Sequence, residues 1–532
     1  MTQELAADPA LGRLADAVLI PPFPGEREPG WIRAALSGGL AGVTLFGLNI
    51  QDSAQLAALT RRLRDATTEP IIAIDEEGGD VTRISHQTGS DYPGNAALGA
   101  IDDVRLTQSV YAALGADLAA LGINLDLAPS VDVNTAADNP VIGTRSFGAD
   151  PALVARHGAA AIAGLQSAGV AACAKHFPGH GSTSADTHLV LATIDAPLSV
   201  VRARDLPPFE AAIAAGVRAI MPSHLRLPEL TGDLPASLSR RAQTDLLRGE
   251  LGFTGVIVSD GLEMQAVSEP YGIPEAAVQA VIAGTDLLCL GRDQDQLSFL
   301  AVRAALIEAV RDGRLPGERL EEAAARVAEL RAWTAAAAPA AAATADDTAR
   351  GPAPGRPAIA GAGRPGSPAG GMTPPAPMNS IGLTAARRAV AVSGTLPALH
   401  DPLVVQLVPP AGLAVGDVPW GLSPFVPSGR YREISTALEP GGLTAAVSAA
   451  LQAAAGGTLV VVVRDAHRYA AAADAVGRLL AGRPDAVVVE MGLPVWRPAA
   501  GAYVASYGAA RSNSYAVAEA LGLTSARREG VR

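Results

Sequence analysis

The chain has 532 residues, 49% of them apolar and only 18% charged, with a formal net charge of −12. That length exceeds one ordinary core and predicts two domains with a linker, while the apolar content excludes a disordered or fibrous chain. The acidic balance, with no Lys/Arg cluster beside aromatic residues, argues against a nucleic-acid partner.

Taken in chain order, Met1 to Leu14 carries acidic residues and lacks a basic region followed by an apolar stretch, so no secretory signal is read and a cytoplasmic location is expected. No later segment reaches the run of about twenty apolar residues that spans a bilayer, so no membrane contact is expected. Short apolar runs then alternate with segments of helical periodicity. The expected strands are Ala17 to Ile20, Gly42 to Phe46, Ile71 to Asp75, Ile123 to Ala128, Ala171 to His176, Ala219 to His224, Val256 to Asp260 and Asp286 to Leu290. Helices such as Ser53 to Asp65, Leu106 to Leu121, Leu153 to Ala168 and Glu275 to Ala283 are long enough to cross back over a sheet. Eight such units predict an α/β fold of the (β/α)8 TIM type over residues 1–334. An open doubly wound sheet fits less well, because Pro21 to Gly25 is not a Gly-rich phosphate turn.

After Trp333 the composition shifts to Ala, Pro and Gly, which predicts a linker over residues 335–380. Beyond it, a smaller α/β domain over residues 381–532 is expected. Its strands are Leu403 to Val408, Thr458 to Val463 and Ala486 to Glu490, and its helices Leu443 to Ala454, His467 to Ala481 and Ser512 to Leu521. Cys173 and Cys289, the only two cysteines, both lie in apolar runs and read as buried, reduced thiols.

A barrel enzyme builds its site at the C-terminal ends of its strands. Here those ends carry Asp75-Glu76-Glu77, Asp126, Lys175-His176, His224 and Ser259-Asp260. A carboxylate such as Asp260, held by a rigid strand, can attack an electrophilic carbon, and the competing reading is a helix N-cap. The stretch from Lys175 to His188 holds three His, one Lys and one Asp. Within it, Asp186 can fix one ring nitrogen of His188 and leave the other to exchange a proton with substrate. His180 and His224 fit structural hydrogen bonding at least as well as chemistry. A metal site at His176, His180 and His188 is disfavoured, since no His-x-His marks the first strand and Lys175 would repel a cation. Neither metal nor cofactor is expected.

Four motifs in this order resemble glycoside hydrolase family 3, in its bacterial β-N-acetylglucosaminidase branch associated with peptidoglycan recycling. They are Asp75-Glu76-Glu77-Gly78-Gly79 with Arg83, Asn139 to Gly148, Lys175 to His188, and Gly252 to Asp260. The resemblance implies that Asp260 is the nucleophile, His188 the acid/base and Asp186 its orienting partner. It implies that Asp75, Arg83, Arg145, Lys175 and His176 bind the sugar, with structural ion pairing the competing reading for both arginines. The implied activity is a retaining exo-β-N-acetylglucosaminidase acting on cell-wall muropeptide fragments or chitin oligomers. Its competitors are an N-acetylglucosamine phosphorylase of the same family and a sugar-binding protein without turnover. Two positions depart from the family pattern: Ser182, where Asp often follows Gly-His-Gly, and Gly261, where a second acid often follows the nucleophile. The second domain resembles one attached to some members; its expected role is to pack on the barrel or to make the contacts of a homodimer. Asp465 and His467 in it read as a helix cap after a strand.

Overall fold

The structure, a computed structural model, describes residues 9–183, 186, 190–348, 378–410 and 415–524, the side chains of 338–348 excepted. All eight expected barrel strands form, each within or close to its apolar run: β1 Leu19–Ile20, β2 Gly42–Leu45, β3 Ile71–Ile74, β4 Leu125–Asp126, β5 Ala171–Phe177, β6 Ala219–Pro222, β7 Val256–Ile257 and β8 Leu288–Cys289. Strands β2 to β7 pair in parallel in sequence order, and β1 pairs in parallel with β8. Two further links close the ring. Val258 pairs with Leu287 beyond the end of β7, and the Thr44 and Ala41 amides donate to Pro21 and Asp16 carbonyls at 3.3 and 3.0 Å.

Both faces of every barrel strand are buried, which is why the strands read as continuous apolar runs. The period-2 alternation of strand side chains divides them into two layers. In β3, Ile71 and Ala73 point inward to join Leu125, Cys173 and Val256, whereas Ile72 and Ile74 belong to the outer layer under the helices. The helix Gly317–Thr348 sends Val327 and Leu330 into the inner cluster and plugs one end of the barrel. It runs past residue 334, where the composition change alone suggests a break, because an Ala tract unable to build a core is still the best helix former. Both cysteines are buried and free, and burial pushes the Cys289 thiol up to about 12.

Several barrel helices begin at an Asp whose carboxylate accepts backbone amides: Asp52 before Ser53–Ala66, Asp103 before Val104–Ala120, Asp150 before Pro151–Ser167 and Asp295 before Gln296–Arg311. An acid just before a helix is thus an ordinary capping device of this chain, and one that caps nothing stands apart.

The second sheet contains β9 Ala391–Gly394, β10 Leu403–Val408, β11 Tyr431–Ser435, β12 Leu459–Val463, β13 Val487–Glu490 and β14 Ala502–Ala505. Its order is β9-β14-β13-β12-β10-β11, parallel except for β9 against β14. The three central strands β10, β12 and β13 are the ones the sequence announces. The edge strands β9 and β11 carry exposed or polar residues and lack the apolar signal of a strand covered on both faces, and β14 has Ala at both ends, a weaker strand signal than the Val runs of β12 and β13.

This domain packs on the barrel through apolar contacts, with Ile381 and Ala385 of the helix Ser380–Ala389 joining the barrel's core, and through polar ones. Asp80, itself held by the Thr144 hydroxyl of the barrel at 2.7 Å, takes Arg464 at 3.0 Å and the Ala509 amide at 2.8 Å from the second domain, and Arg511 pairs with Asp91. The helix-cap reading of Asp465 and His467 is not what the structure contains. Asp465 accepts the Leu493 amide at 2.8 Å, and the His467 ring meets the Ala137 carbonyl on the barrel at 2.7 Å. Loop-to-loop packing, rather than the local strand–helix junction, decides both side chains. Among the described residues no helix is long and apolar enough to cross a membrane.

Candidate active site

A cavity of about 730 Å³ opens at the C-terminal ends of the barrel strands. Asp75, Arg83, Arg145, Lys175, His176 and Asp260 all line it, although they come from the ends of three strands, β3, β5 and β7, and the loop after β4. His188 lies outside the described residues; Asp186 is described and half-buried.

Asp260 follows β7, and its Oδ1 accepts the Gly261 amide at 2.8 Å. The next helix starts only at Gln265, with Met264 at its N-cap position, so the capping reading of Asp260 fails. The carboxylate instead faces the cavity. Its turn is braced by His224, whose Nε2 meets the Gly261 carbonyl at 3.0 Å and whose Nδ1 meets the Ser237 hydroxyl at 2.6 Å. His224 is therefore a structural hydrogen-bonding residue and does not line the cavity.

A charged network shares the cavity with Asp260. Lys175 pairs with Asp75 and, at 2.7 Å, with Glu77; Arg83 pairs with Asp75 at 3.0 Å. Arg145 grips Glu77 with two bonds, Nη2 to Oε1 at 2.6 Å and Nε to Oε2 at 2.9 Å. Burial alone would raise the carboxyls of Asp75 and Glu77, but the cations around them hold both below the ordinary range. Lys175 is likewise held charged by Asp75 and Glu77 against the effect of its burial. Ion pairing and cavity lining thus coincide in Arg83 and Arg145. An array of fixed charges at one end of a cavity offers donors and acceptors to several hydroxyls of one small polar ligand.

His176 is oriented by Asp132, which the sequence did not single out. Asp132 accepts Nδ1 of His176 at 2.7 Å, the His176 and His180 amides at 3.1 and 2.7 Å, and the Ser130 hydroxyl at 2.9 Å. Against burial, the His176 ring, the neighbouring His180 and the His176 amide keep Asp132 ionised well below the usual carboxylate range. Its only signal in the sequence is a carboxylate inside an otherwise apolar run after β4. His180 packs edge-on against His176, and burial, then the neighbouring His176, push its pKa down to about 4. The departure at Ser182 is taken up by Arg204, which donates to its hydroxyl at 2.9 Å. The second domain also reaches the site, since Val415, Gly416, Asp417 and Val418 form part of the cavity wall. Nothing in the sequence connects that loop to a barrel mouth. Among the described residues no group of three or more His, Cys, Asp or Glu is placed to hold a metal ion.

Behind Asp75, Glu76 is fully buried, and one of its oxygens accepts Thr82 and the amides of Arg83 and Ile84 at 2.7–3.0 Å. Its other oxygen has no partner among the described residues, and burial pushes the carboxyl up to about 7 from an ordinary 4.5. Below pH 4.5 the group is protonated both folded and unfolded. Between 4.5 and about 7 the unfolded chain ionises first, so the contribution of Glu76 to stability falls as pH rises through that window. Glu76→Gln removes this dependence. The melting temperature of the variant relative to the parent is expected to rise between pH 5 and pH 8, by on the order of a few degrees. A difference constant across that range in thermal melts would contradict this.

Residues 31–330 match the family profile described as the N-terminal domain of glycosyl hydrolase family 3. The chain is 35% identical over 318 residues to beta-hexosaminidase A of Pseudoalteromonas piscicida, a match covering 55% of this chain and 53% of that relative's length. It is 37% identical over 269 residues to a beta-hexosaminidase of Stenotrophomonas maltophilia, covering 49% of this chain and 78% of the relative. Over its whole length the fold is similar to a solved glycoside hydrolase family 3 beta-N-acetylglucosaminidase from a Paenibacillus species, with a TM-score of 0.81, 30% identity and 97% of both chains covered.

Proposed function

The chain belongs to glycosyl hydrolase family 3, and from that premise we propose that it is a retaining exo-β-N-acetylglucosaminidase. The observation that carries this reading is Asp260 sharing one cavity with the Asp75, Arg83, Lys175, Glu77 and Arg145 network and His176. The network holds the hydroxyls of a terminal sugar and fixes its ring against Asp260. The beta-hexosaminidases and the beta-N-acetylglucosaminidase named above support the choice of an N-acetylated sugar.

In the proposed reaction Asp260 attacks the anomeric carbon while protonated His188 gives its proton to the departing glycosidic oxygen, forming a glycosyl-enzyme. Neutral His188 then takes a proton from water, which attacks the same carbon, frees Asp260 and leaves the sugar with its original β configuration. Asp186 orients the His188 ring. The substrates proposed are β-linked amino-sugar oligomers, cell-wall muropeptide fragments or chitin pieces.

The test is a kinetic comparison of aryl β-N-acetylglucosaminide with aryl β-glucoside, with the released sugar followed by NMR. The expected result is a strong preference for the N-acetylated substrate and β-anomer as first product. In His188→Ala, a leaving group that needs no proton is expected to recover part of the lost rate. Equal rates on the two glycosides overturn the sugar assignment, an α-anomer overturns retention, and a sugar 1-phosphate formed in phosphate buffer replaces water as acceptor.

A further inference from the structure

In the turn after Asp260 the space beside position 261 is filled by a carboxylate from two residues further along. Position 261 is Gly, and its φ lies outside the left-handed range, so the backbone there accommodates any side chain. What occupies the space is Glu263. The three heavy atoms nearest to a Cβ built on Gly261 all belong to its carboxyl group: Oε2 at 2.4 Å, Cδ at 3.0 Å and Oε1 at 3.1 Å. On the other side a Cβ on Gly291 would lie 1.4 Å from the same Oε2, and Gly291 has a φ of +86°. The carboxylate is thus seated between two glycines that clear its place, one on the turn after β7 and one after β8.

From that seat Glu263 joins the two loops. Its Oε1 accepts the Arg292 amide at 2.7 Å, and Arg292 and Asp293, which follow, line the cavity together with Asp260 and Glu263 itself. The backbone brings it there by a tight turn: the Met264 amide donates to the Gly261 carbonyl and the Leu262 amide to the Cys289 carbonyl, both at 3.2 Å. Ser259 ties the strands below by bonding both the amide and the carbonyl of Cys289. The proximity of Glu263 to the barrel axis also registers on Cys289, whose thiol is raised first by burial and then by the Glu263 charge.

We propose that Glu263 is a positioning residue for the reaction at Asp260: its carboxylate occupies the place of a side chain at 261 and holds the Gly291–Asp293 loop against the nucleophile's turn. The proposal rests on the reading of Asp260 as nucleophile. It makes positions 261 and 263 alternative sources of one carboxylate, so changes at the two sites must be strongly non-additive.

The experiment compares Glu263→Ala, Glu263→Gln, Gly261→Asp and the double variant Gly261→Asp/Glu263→Ala in the full chain. It measures kcat and KM on an aryl β-N-acetylglucosaminide, thermal melts, and hydrogen exchange of the peptide containing Arg292. Glu263→Ala is expected to lower kcat by about 10- to 100-fold with little change in KM, because a loop displaced by about 1 Å carries a cost of that size. Glu263→Gln keeps an oxygen acceptor and is expected to retain most of kcat. Gly261→Asp alone sets two carboxylates in one place and lowers kcat, whereas the double variant regains activity over Glu263→Ala. The Arg292 amide should exchange faster in Glu263→Ala and return toward the parent rate in Glu263→Gln and the double variant. Parent-like kcat in Glu263→Ala, or a folded double variant no better than Glu263→Ala, overturns the proposal. Exchange at Arg292 reads the same contact whether or not the parent cleaves the glucosaminide: an inactive parent refutes the functional reading, whereas parent-rate exchange at Arg292 in Glu263→Ala overturns this proposal.

Discussion

Replacing Asp260 by Ala is expected to lower kcat/KM on an aryl β-N-acetylglucosaminide by on the order of 10⁴-fold or more, while leaving the melting temperature nearly unchanged. The size follows from removing the group that forms the covalent intermediate, since the remaining site contributes only binding and electrostatics. The small effect on stability follows from the surroundings. Asp260 faces the cavity, it caps no helix, and its Oδ1 accepts the next amide in its own turn. A truncation there opens no void in the apolar core. Steady-state kinetics on the folded variant, with externally added azide as a substitute nucleophile, measures it. Activity within tenfold of the parent would remove Asp260 from the mechanism.

Glu77→Ala is expected to produce the largest loss of stability of any single change in the site, about 3–5 kcal/mol, because it breaks a buried ion network by deleting one partner. The Glu77 side chain is 3% exposed, and its partners Arg145 and Lys175 are 7% and 3% exposed. Lys175 would keep Asp75, but Arg145 would lose both charge-assisted bonds and retain the Val141 carbonyl at 3.0 Å as an acceptor. A guanidinium left so deep in the protein must draw in water or move, and both disturb Lys175 and His176, which share the cavity wall. KM is therefore expected to rise as well. Far-UV circular dichroism through a guanidinium titration gives the stability term, and a midpoint unchanged from the parent would contradict it.

The barrel was legible because its signals are local. Apolar runs such as Val256–Ile257 and the Asp caps at 52, 103, 150 and 295 each act within a few residues of themselves, so reading along the chain recovers them. The edge strands β9 and β11 were not legible for the converse reason: with one side exposed they carry mixed residues, and only their pairing makes them strands. Of the site, the sequence supplied the residue types, the strand ends that carry Asp75, Lys175, His176 and Asp260, and the family to which their motifs belong. It carried no statement of who meets whom. Arg145 finds Glu77 across 68 residues, Lys175 finds Asp75 across 100, and His176 is aimed by Asp132 from 44 residues away. Likewise Glu263 takes the space of a side chain at 261, and Val415 to Val418 arrive at the cavity from another sheet. Those pairings exist only after the barrel closes and the second domain docks, since they depend on register and loop path between segments that share no local pattern.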